Sequence, residues 1–106
     1  MPTVSIVVPA YNEEAVIERC LRAIVRQSVP PAEVLVVDNR STDGTREVVQ
    51  RVIDEHPRAG IRLLRQDVRQ GLVPTRNLGM DAATGEVLGR IDADTVVKPD
   101  WVAQVS

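Results

Sequence analysis

Two aspartates one residue apart, Asp92 and Asp94, follow a short apolar run that starts at Val87 and is broken by Arg90. In an extended segment residues i and i+2 share a side. The pair would therefore converge on one cation if a strand reaches that far, and its geometry is open if the chain bends first. Two hard carboxylates with no neighbouring Cys or His suit Mg2+ or Mn2+ better than zinc, with coordination positions left for water and phosphate oxygens. The plainer alternative is a pair of aspartates that solvate a strand end and cap the next turn, and a lone Asp-x-Asp does little against it. Other residues add weight. Asp38 offers an acceptor to a base N–H, Tyr11, the single tyrosine, offers a ring to a planar base, and Arg76 offers a charge to a diphosphate. Each has its own structural alternative: packing for Tyr11, a turn cap for Asp38, a surface pair for Arg76. Together they make a nucleotide site the simpler account.

The elements that must position these residues alternate. Val4–Pro9 is a β-branched run that reads as a strand, and Asn12 with Glu13 and Glu14 reads as the start of a helix. That helix carries Ile17, Cys20, Leu21, Ile24 and Val25 on one stripe and closes at Pro30-Pro31. Val34–Asp38 is a second strand, and the turn from Asn39 to Thr45 leads to a helix with the stripe Val48, Val49, Val52 and Ile53, ended near His56. Ile61–Arg65 is a third strand, followed by Asp67. A connection through Gly71 enters a helix expected from Pro74 to Ala83, stopped by Thr84-Gly85, and a fourth strand then reaches Asp92. The order β-α-β-α-β-α-β suits a parallel sheet flanked by helices. Asp38, Asp67 and Asp92 each leave a strand at its C-terminal end, the edge where such sheets bind ligands.

With 106 residues the chain is at most one modest domain. Its hydrophobic residues include no Phe and are mostly Val, Ile and Leu, as in strands buried on both faces. Thirteen basic against fifteen acidic residues give a net charge of −2, which provides no electrostatic case for nucleic acid or a membrane surface. The single cysteine, Cys20, falls on a helical apolar stripe and reads as a core thiol. The longest apolar runs are too short to span a bilayer, so the chain reads as cytoplasmic, or as the cytosolic part of a membrane-associated enzyme. A helix start at Lys98–Ala103 stops at Ser106, so the pattern looks truncated in mid-fold.

Four stretches, Val4–Glu14, Val36–Thr45, Thr75–Gly79 and Ala83–Asp94, stand in an order and spacing similar to the N-terminal half of a family 2 glycosyltransferase. The resemblance runs from Thr3 to Trp101 and implies the Rossmann-like GT-A nucleotide-diphospho-sugar transferase fold. It implies that residues 1–106 are the nucleotide-sugar (donor) binding part, with the acceptor-binding half absent. By the same resemblance Pro9, Tyr11 and Glu13 line the nucleotide pocket, Asp38 contacts the base and Asp67 or its neighbours close over it. Arg76 lies near the diphosphate, Asp92 and Ala93 belong to the substrate site, Asp92 sits by the ribose or metal, and Asp94 is the principal ligand of Mg2+ or Mn2+. The implied reaction moves a sugar from a UDP- or GDP-sugar to an acceptor hydroxyl with inversion, the metal acting as a Lewis acid on the leaving diphosphate. Such a transfer needs a general base, and no residue here is a candidate, so the chain alone is expected to bind without turnover.

Two positions depart from the family pattern. Arg40 stands where a glycine is common, so a backbone with φ > 0 would be strained there. Pro74 lies in a loop that does not require it. The alternative function is a non-catalytic nucleotide-binding module. A phosphoacceptor receiver is disfavoured because the first strand ends in Pro9-Ala10-Tyr11 rather than an acidic pair, and a nicotinamide dehydrogenase because no Gly-x-Gly-x-x-Gly follows a strand. An uncovered apolar sheet face would favour self-association or exchange of elements between copies.

Overall fold

β1 (Val4–Ala10) and β2 (Glu33–Asp38) are buried along their whole length, which is why both read as continuous apolar runs rather than alternations. The computed structural model describes residues 3–66 and 83–106. Within them β3 (Ile61–Arg65) and β4 (Val87–Arg90) complete a four-stranded sheet in the order β3-β2-β1-β4. Every pairing is parallel, as the alternating pattern predicts. β2 and β3 lie to one side of β1 and β4 to the other, so the chain reverses its direction of travel between β1 and β4. In an open parallel sheet that reversal leaves a crevice at the C-terminal edge. The helix expected from Pro74 falls, except for Ala83, outside the described residues, and so do Asp67, Gly71 and Arg76.

α1 (Ile17–Val25) buries Ile17, Cys20, Leu21 and Ile24, the i, i+3, i+4, i+7 stripe of an amphipathic helix. α2 (Thr45–Glu55) buries Thr45, Val49 and Val52, while Val48 and Ile53 are half-buried beside them. Both helices pack on the sheet face formed by Val4, Ile6, Val8, Val34 and Val36. α3 (Trp101–Val105) joins the same core through Val102. Its Trp101 ring lies against Gly89, where a Cβ would come within 2.6 Å of Cη2. The buried Gln27 side chain ties α1 to this segment. Its Nε2 donates to the Lys98 carbonyl at 2.7 Å and its Oε1 accepts the Val102 N–H at 2.9 Å.

Two of the polar residues of the buried strands, Ser5 and Glu33, are register partners. Ser5 Oγ donates to Glu33 Oε2 at 2.6 Å, and the same oxygen accepts the Thr84 N–H at 2.6 Å. These bonds hold the Glu33 carboxyl below its ordinary value. Gly85 donates its N–H to Ser5 Oγ at 2.7 Å. A Cβ there would fall 2.8 Å from the Ser5 backbone nitrogen, so Thr84-Gly85 docks the chain onto β1 at the edge remote from the crevice.

Two sequence expectations change at the crevice. α1 starts at Ile17, after a turn in which the Val16 and Ile17 N–H groups reach the Glu13 carbonyl, so Asn12 does not cap it. β4 ends at Arg90, short of Asp92. Cys20 is a buried thiol as expected, with Sγ 3.6 Å from the Asp92 carbonyl oxygen. Burial, and then the charges of Asp94 and Asp92, push it up to about 12. His56 follows α2 as its C-cap. Among the described residues no helix is long and apolar enough to cross a membrane.

Candidate functional site

Ala10 and Asp38 are register partners at the C-terminal ends of β1 and β2, so the loops that follow leave the sheet side by side. They are fastened to each other. The Asn12 N–H donates to Ser41 Oγ at 3.0 Å, and the Thr42 N–H donates back to Asn12 Oδ1 at 2.8 Å. The Glu13 N–H donates to Thr45 Oγ1 at 2.9 Å. The Glu14 N–H reaches Asp43 Oδ2 at 3.3 Å, and Glu14 Oε1 accepts the Gly44 N–H at 2.7 Å. Asp43 also accepts the Thr45 N–H at 2.9 Å, which satisfies a free donor at the start of α2. Burial pushes the Asp43 carboxyl up, but the bonds from Thr45 and Glu14 outweigh it and hold the group below its ordinary value.

Two backbone positions in this clasp have left-handed φ, Asn12 at 51° and Arg40 at 59°. Asn is one of the residues that enter that region most readily, and here its side chain bonds to Thr42 of the partner loop. Arg40 carries the strain expected where a glycine is common.

Asp38 is fully buried. Its Oδ2 accepts the Ser41 N–H at 3.3 Å and lies 3.5 Å from Arg46 Nε. Its Oδ1, equally buried, has no hydrogen-bond partner among the described residues. A buried carboxylate oxygen left in that state costs free energy that a ligand N–H would recover. Tyr11, in contrast, is about half exposed, with its ring accessible at the crevice. Pro9 is buried within β1, in register with Val37.

Across β1, the chain turns directly after β4. Thr95 donates its N–H to the Asp92 carbonyl at 2.9 Å, so Asp92 and Asp94 occupy a turn and strand alternation does not set their relation. Both are exposed, whereas Ile91 before them and Ala93 between them are buried in the core. Ala93 can therefore offer a ligand its backbone and not its methyl group. Arg90 Nε stands 3.6 Å from Asp92 Oδ1. The Glu13 carboxyl is raised by burial and then by the charges of Asp94, Asp43 and Asp92, which sets the loop after β1 and the turn after β4 in one electrostatic field. Among the described residues no group of three or more His, Cys, Asp or Glu side chains forms a ready-made cage. Two exposed carboxylates in a crowded negative field do fit a hard divalent cation that takes one or two protein ligands and fills its remaining positions with water and phosphate.

Asp38, Tyr11, Glu13, Asp92 and Asp94 all lie at this edge, while Asp67 and Arg76 lie outside the described residues. Residue-by-residue reading missed the clasp, namely Asn12, Ser41, Asp43 and Thr45, and the partner of Asp38, Arg46. The run Ser41-Thr42-Asp43-Gly44-Thr45 carried a signal, since such side chains bond to nearby backbone, but nothing local named the loop they would hold.

The model of glycosyl transferase family 2 matches residues 5–105. Glycosyltransferase AglE of Haloferax volcanii is 36% identical over 104 residues, covering 96% of this chain and 34% of that protein. The mannosyltransferase PcManGT from Pyrobaculum calidifontis, solved in complex with GDP-Man and Mn2+, superposes with a TM-score of 0.90 at 38% identity, covering 96% of this chain and 30% of its own. TarS of S. aureus in complex with UDP superposes with a TM-score of 0.83 at 25% identity, again over 96% of this chain and 30% of that one. The chain thus spans about a third of the length of these three relatives.

Proposed function

This chain belongs to glycosyl transferase family 2 and has its GT-A type fold, and from that premise we propose that residues 1–106 are the donor-binding part of a glycosyltransferase. The reaction proposed is inverting transfer of a sugar from a UDP- or GDP-sugar to an acceptor hydroxyl. The observation that carries this reading is that β1 lies parallel between β2 and β4, so the chain leaves all three toward one sheet edge with Tyr11 and Glu13, Asp38, and Asp92 and Asp94, across the point where the strand order reverses. That is where open parallel sheets bind nucleotides, and a field of carboxylates there needs a cation before a diphosphate can enter.

In this reading Asp94 is the principal ligand of Mg2+ or Mn2+, and Asp92 joins it or holds the ribose. The bound cation would supply Lewis-acid stabilisation of the leaving nucleoside diphosphate. Tyr11 lays its exposed ring on the base, Asp38 Oδ1 accepts a base N–H, and Pro9, Glu13 and the Ala93 backbone line the pocket. Asp67 is assigned to closing over the base and Arg76 to the diphosphate. An inverting displacement also needs a base that takes the acceptor proton. We assign none in this chain, which on its own binds donor without turning it over. The structures bound to GDP-Man with Mn2+ and to UDP support a nucleotide-sugar donor of either base.

Calorimetric titration of the chain with UDP and with GDP, each with and without Mn2+, tests the proposal. Metal-dependent binding of one nucleotide is expected. Binding of neither would overturn the assignment of a donor site to this chain.

A further inference from the structure

Resting on that donor-site reading, we infer that Arg46 is a positioning residue for base recognition: its guanidinium anchors one oxygen of Asp38 and so leaves the other as an unpaired acceptor that a base N–H would satisfy. Asp38 is fully buried, and a buried carboxylate requires a charge partner. Arg46 is that partner, with Nε 3.5 Å from Oδ2. The Ser41 N–H approaches the same oxygen at 3.3 Å. Both fasteners therefore fall on Oδ2 and fix the carboxylate plane, while Oδ1 stays buried and without a partner among the described residues.

The place of Arg46 in the chain argues for the same role. It is the second residue of α2, where the helix dipole disfavours a cation. A solvated surface face would put an acidic residue there, as Glu47 does next door. The platform is rigid as well. Thr45, the residue before it, holds the Glu13 N–H and is itself held by Asp43, and Ser41 holds the Asn12 N–H. A side chain on a locked helix start can set an acceptor direction that a loop residue cannot.

The ligand chemistry follows. A carboxylate oxygen held in one direction accepts the ring N–H on the pairing edge of guanine or uracil and meets a lone pair at the corresponding ring nitrogen of adenine or cytosine. Their exocyclic amino groups are donors as well but lie to one side, so discrimination depends on the direction that Arg46 fixes. The test compares GDP, UDP, ADP, CDP and inorganic pyrophosphate, each with Mn2+, by calorimetry on wild-type chain, Arg46→Gln, Arg46→Lys and Asp38→Asn, with circular dichroism as the folding control. Arg46→Gln is expected to weaken the preferred nucleotide about tenfold, the scale of one charged hydrogen bond. It is expected to erase discrimination against ADP and CDP and to leave pyrophosphate unchanged. Arg46→Lys keeps the charge without the Nε geometry and is expected to fall between, so it decides the matter if the glutamine variant does not fold. Wild-type discrimination in the Arg46 variants, or an equal loss for pyrophosphate, would overturn the role of Arg46. If Asp38→Asn alone loses discrimination, the base contact stands and the Arg46 inference fails; if Asp38→Asn discriminates as wild type does, the base contact itself fails and takes the inference with it.

Discussion

Asn12 Oδ1 accepts the Thr42 N–H at 2.8 Å across 30 residues of sequence, while the Asn12 N–H donates to the neighbouring Ser41 at 3.0 Å. One side chain thereby fixes the distance between the loops that follow β1 and β2. Those loops carry Tyr11 and Glu13 on one side, and on the other the Ser41 N–H and the start of α2 that hold Asp38. Pre-organisation of this kind lets a ligand bind without first ordering the loops it touches.

Replacing Asn12 by Ala removes the acceptor for Thr42 and puts at φ 51° a residue that enters the left-handed region less readily than Asn. Each loss is worth about 1 kcal/mol, so a destabilisation of about 2 kcal/mol is expected in urea unfolding. Asn12→Gly keeps the backbone conformation and loses the bond alone, and should cost roughly half as much. Equal stability of the two variants would show that the φ angle contributes nothing.

Arg40 has a left-handed φ of 59° with an exposed side chain. Arg40→Gly should therefore stabilise the fold by about 0.5–1 kcal/mol, the relief of strain less the added freedom of the unfolded chain. For a domain of this size that is a rise of several degrees in Tm, about 4–8 °C per kcal/mol. A fall in Tm would mean that the Arg40 side chain contributes more than its backbone costs.

β1, β2 and α1 were legible because each has a simple burial pattern. A fully buried β1 and β2 must be apolar throughout, and the stripe of α1 reads directly as Ile17, Cys20, Leu21 and Ile24. Asp38 was legible as the acidic end of β2 because it closes an otherwise apolar run, whereas β4 stops at Arg90, short of Asp92. The clasp was not, because Asn12 reads as a helix cap until the partner loop is known, and both uses rest on the same short-range hydrogen-bonding ability. Nor was the geometry of Asp92 and Asp94, because the bend after Arg90 is set by the packing of Ile91 and Ala93 into the core rather than by a turn residue. Gly85 signals a helix stop in sequence, yet its close approach to Ser5 is a tertiary contact.

Asp94→Ala should abolish the metal-dependent part of nucleotide binding and leave the fold intact, because Asp94 is exposed. The same change removes one of the charges that raise Glu13. The Glu13 carboxyl should then titrate closer to its ordinary value of 4.5 in an NMR titration. Unchanged metal-dependent affinity would sink the ligand assignment, whereas an unchanged Glu13 titration would separate the two loops electrostatically.

Glu33 supplies a pH signature at the opposite edge of the sheet. Its carboxyl is held below the ordinary value of 4.5 by the Ser5 hydroxyl, then by the Thr84 N–H, with a smaller contribution from Arg62. A lowered folded-state value means stability that is fully present above the unfolded value and lost as pH falls through the folded one. Glu33→Gln keeps the shape but not the charge, and should cost about 1–3 kcal/mol at neutral pH. The gap between wild type and variant should then narrow as pH drops below 4.5. Other carboxyls that lose their bonds in acid, Glu18 and Asp43, are shared by both proteins, so the difference isolates Glu33. The exposed Arg62 partner, 3.8 Å away, adds little, and Arg62→Ala should leave the pH dependence nearly as it is. Urea unfolding of the three proteins across the acid range measures this, and a gap between wild type and Glu33→Gln that stays constant with pH would assign the stability to packing around Glu33 instead of to its charge.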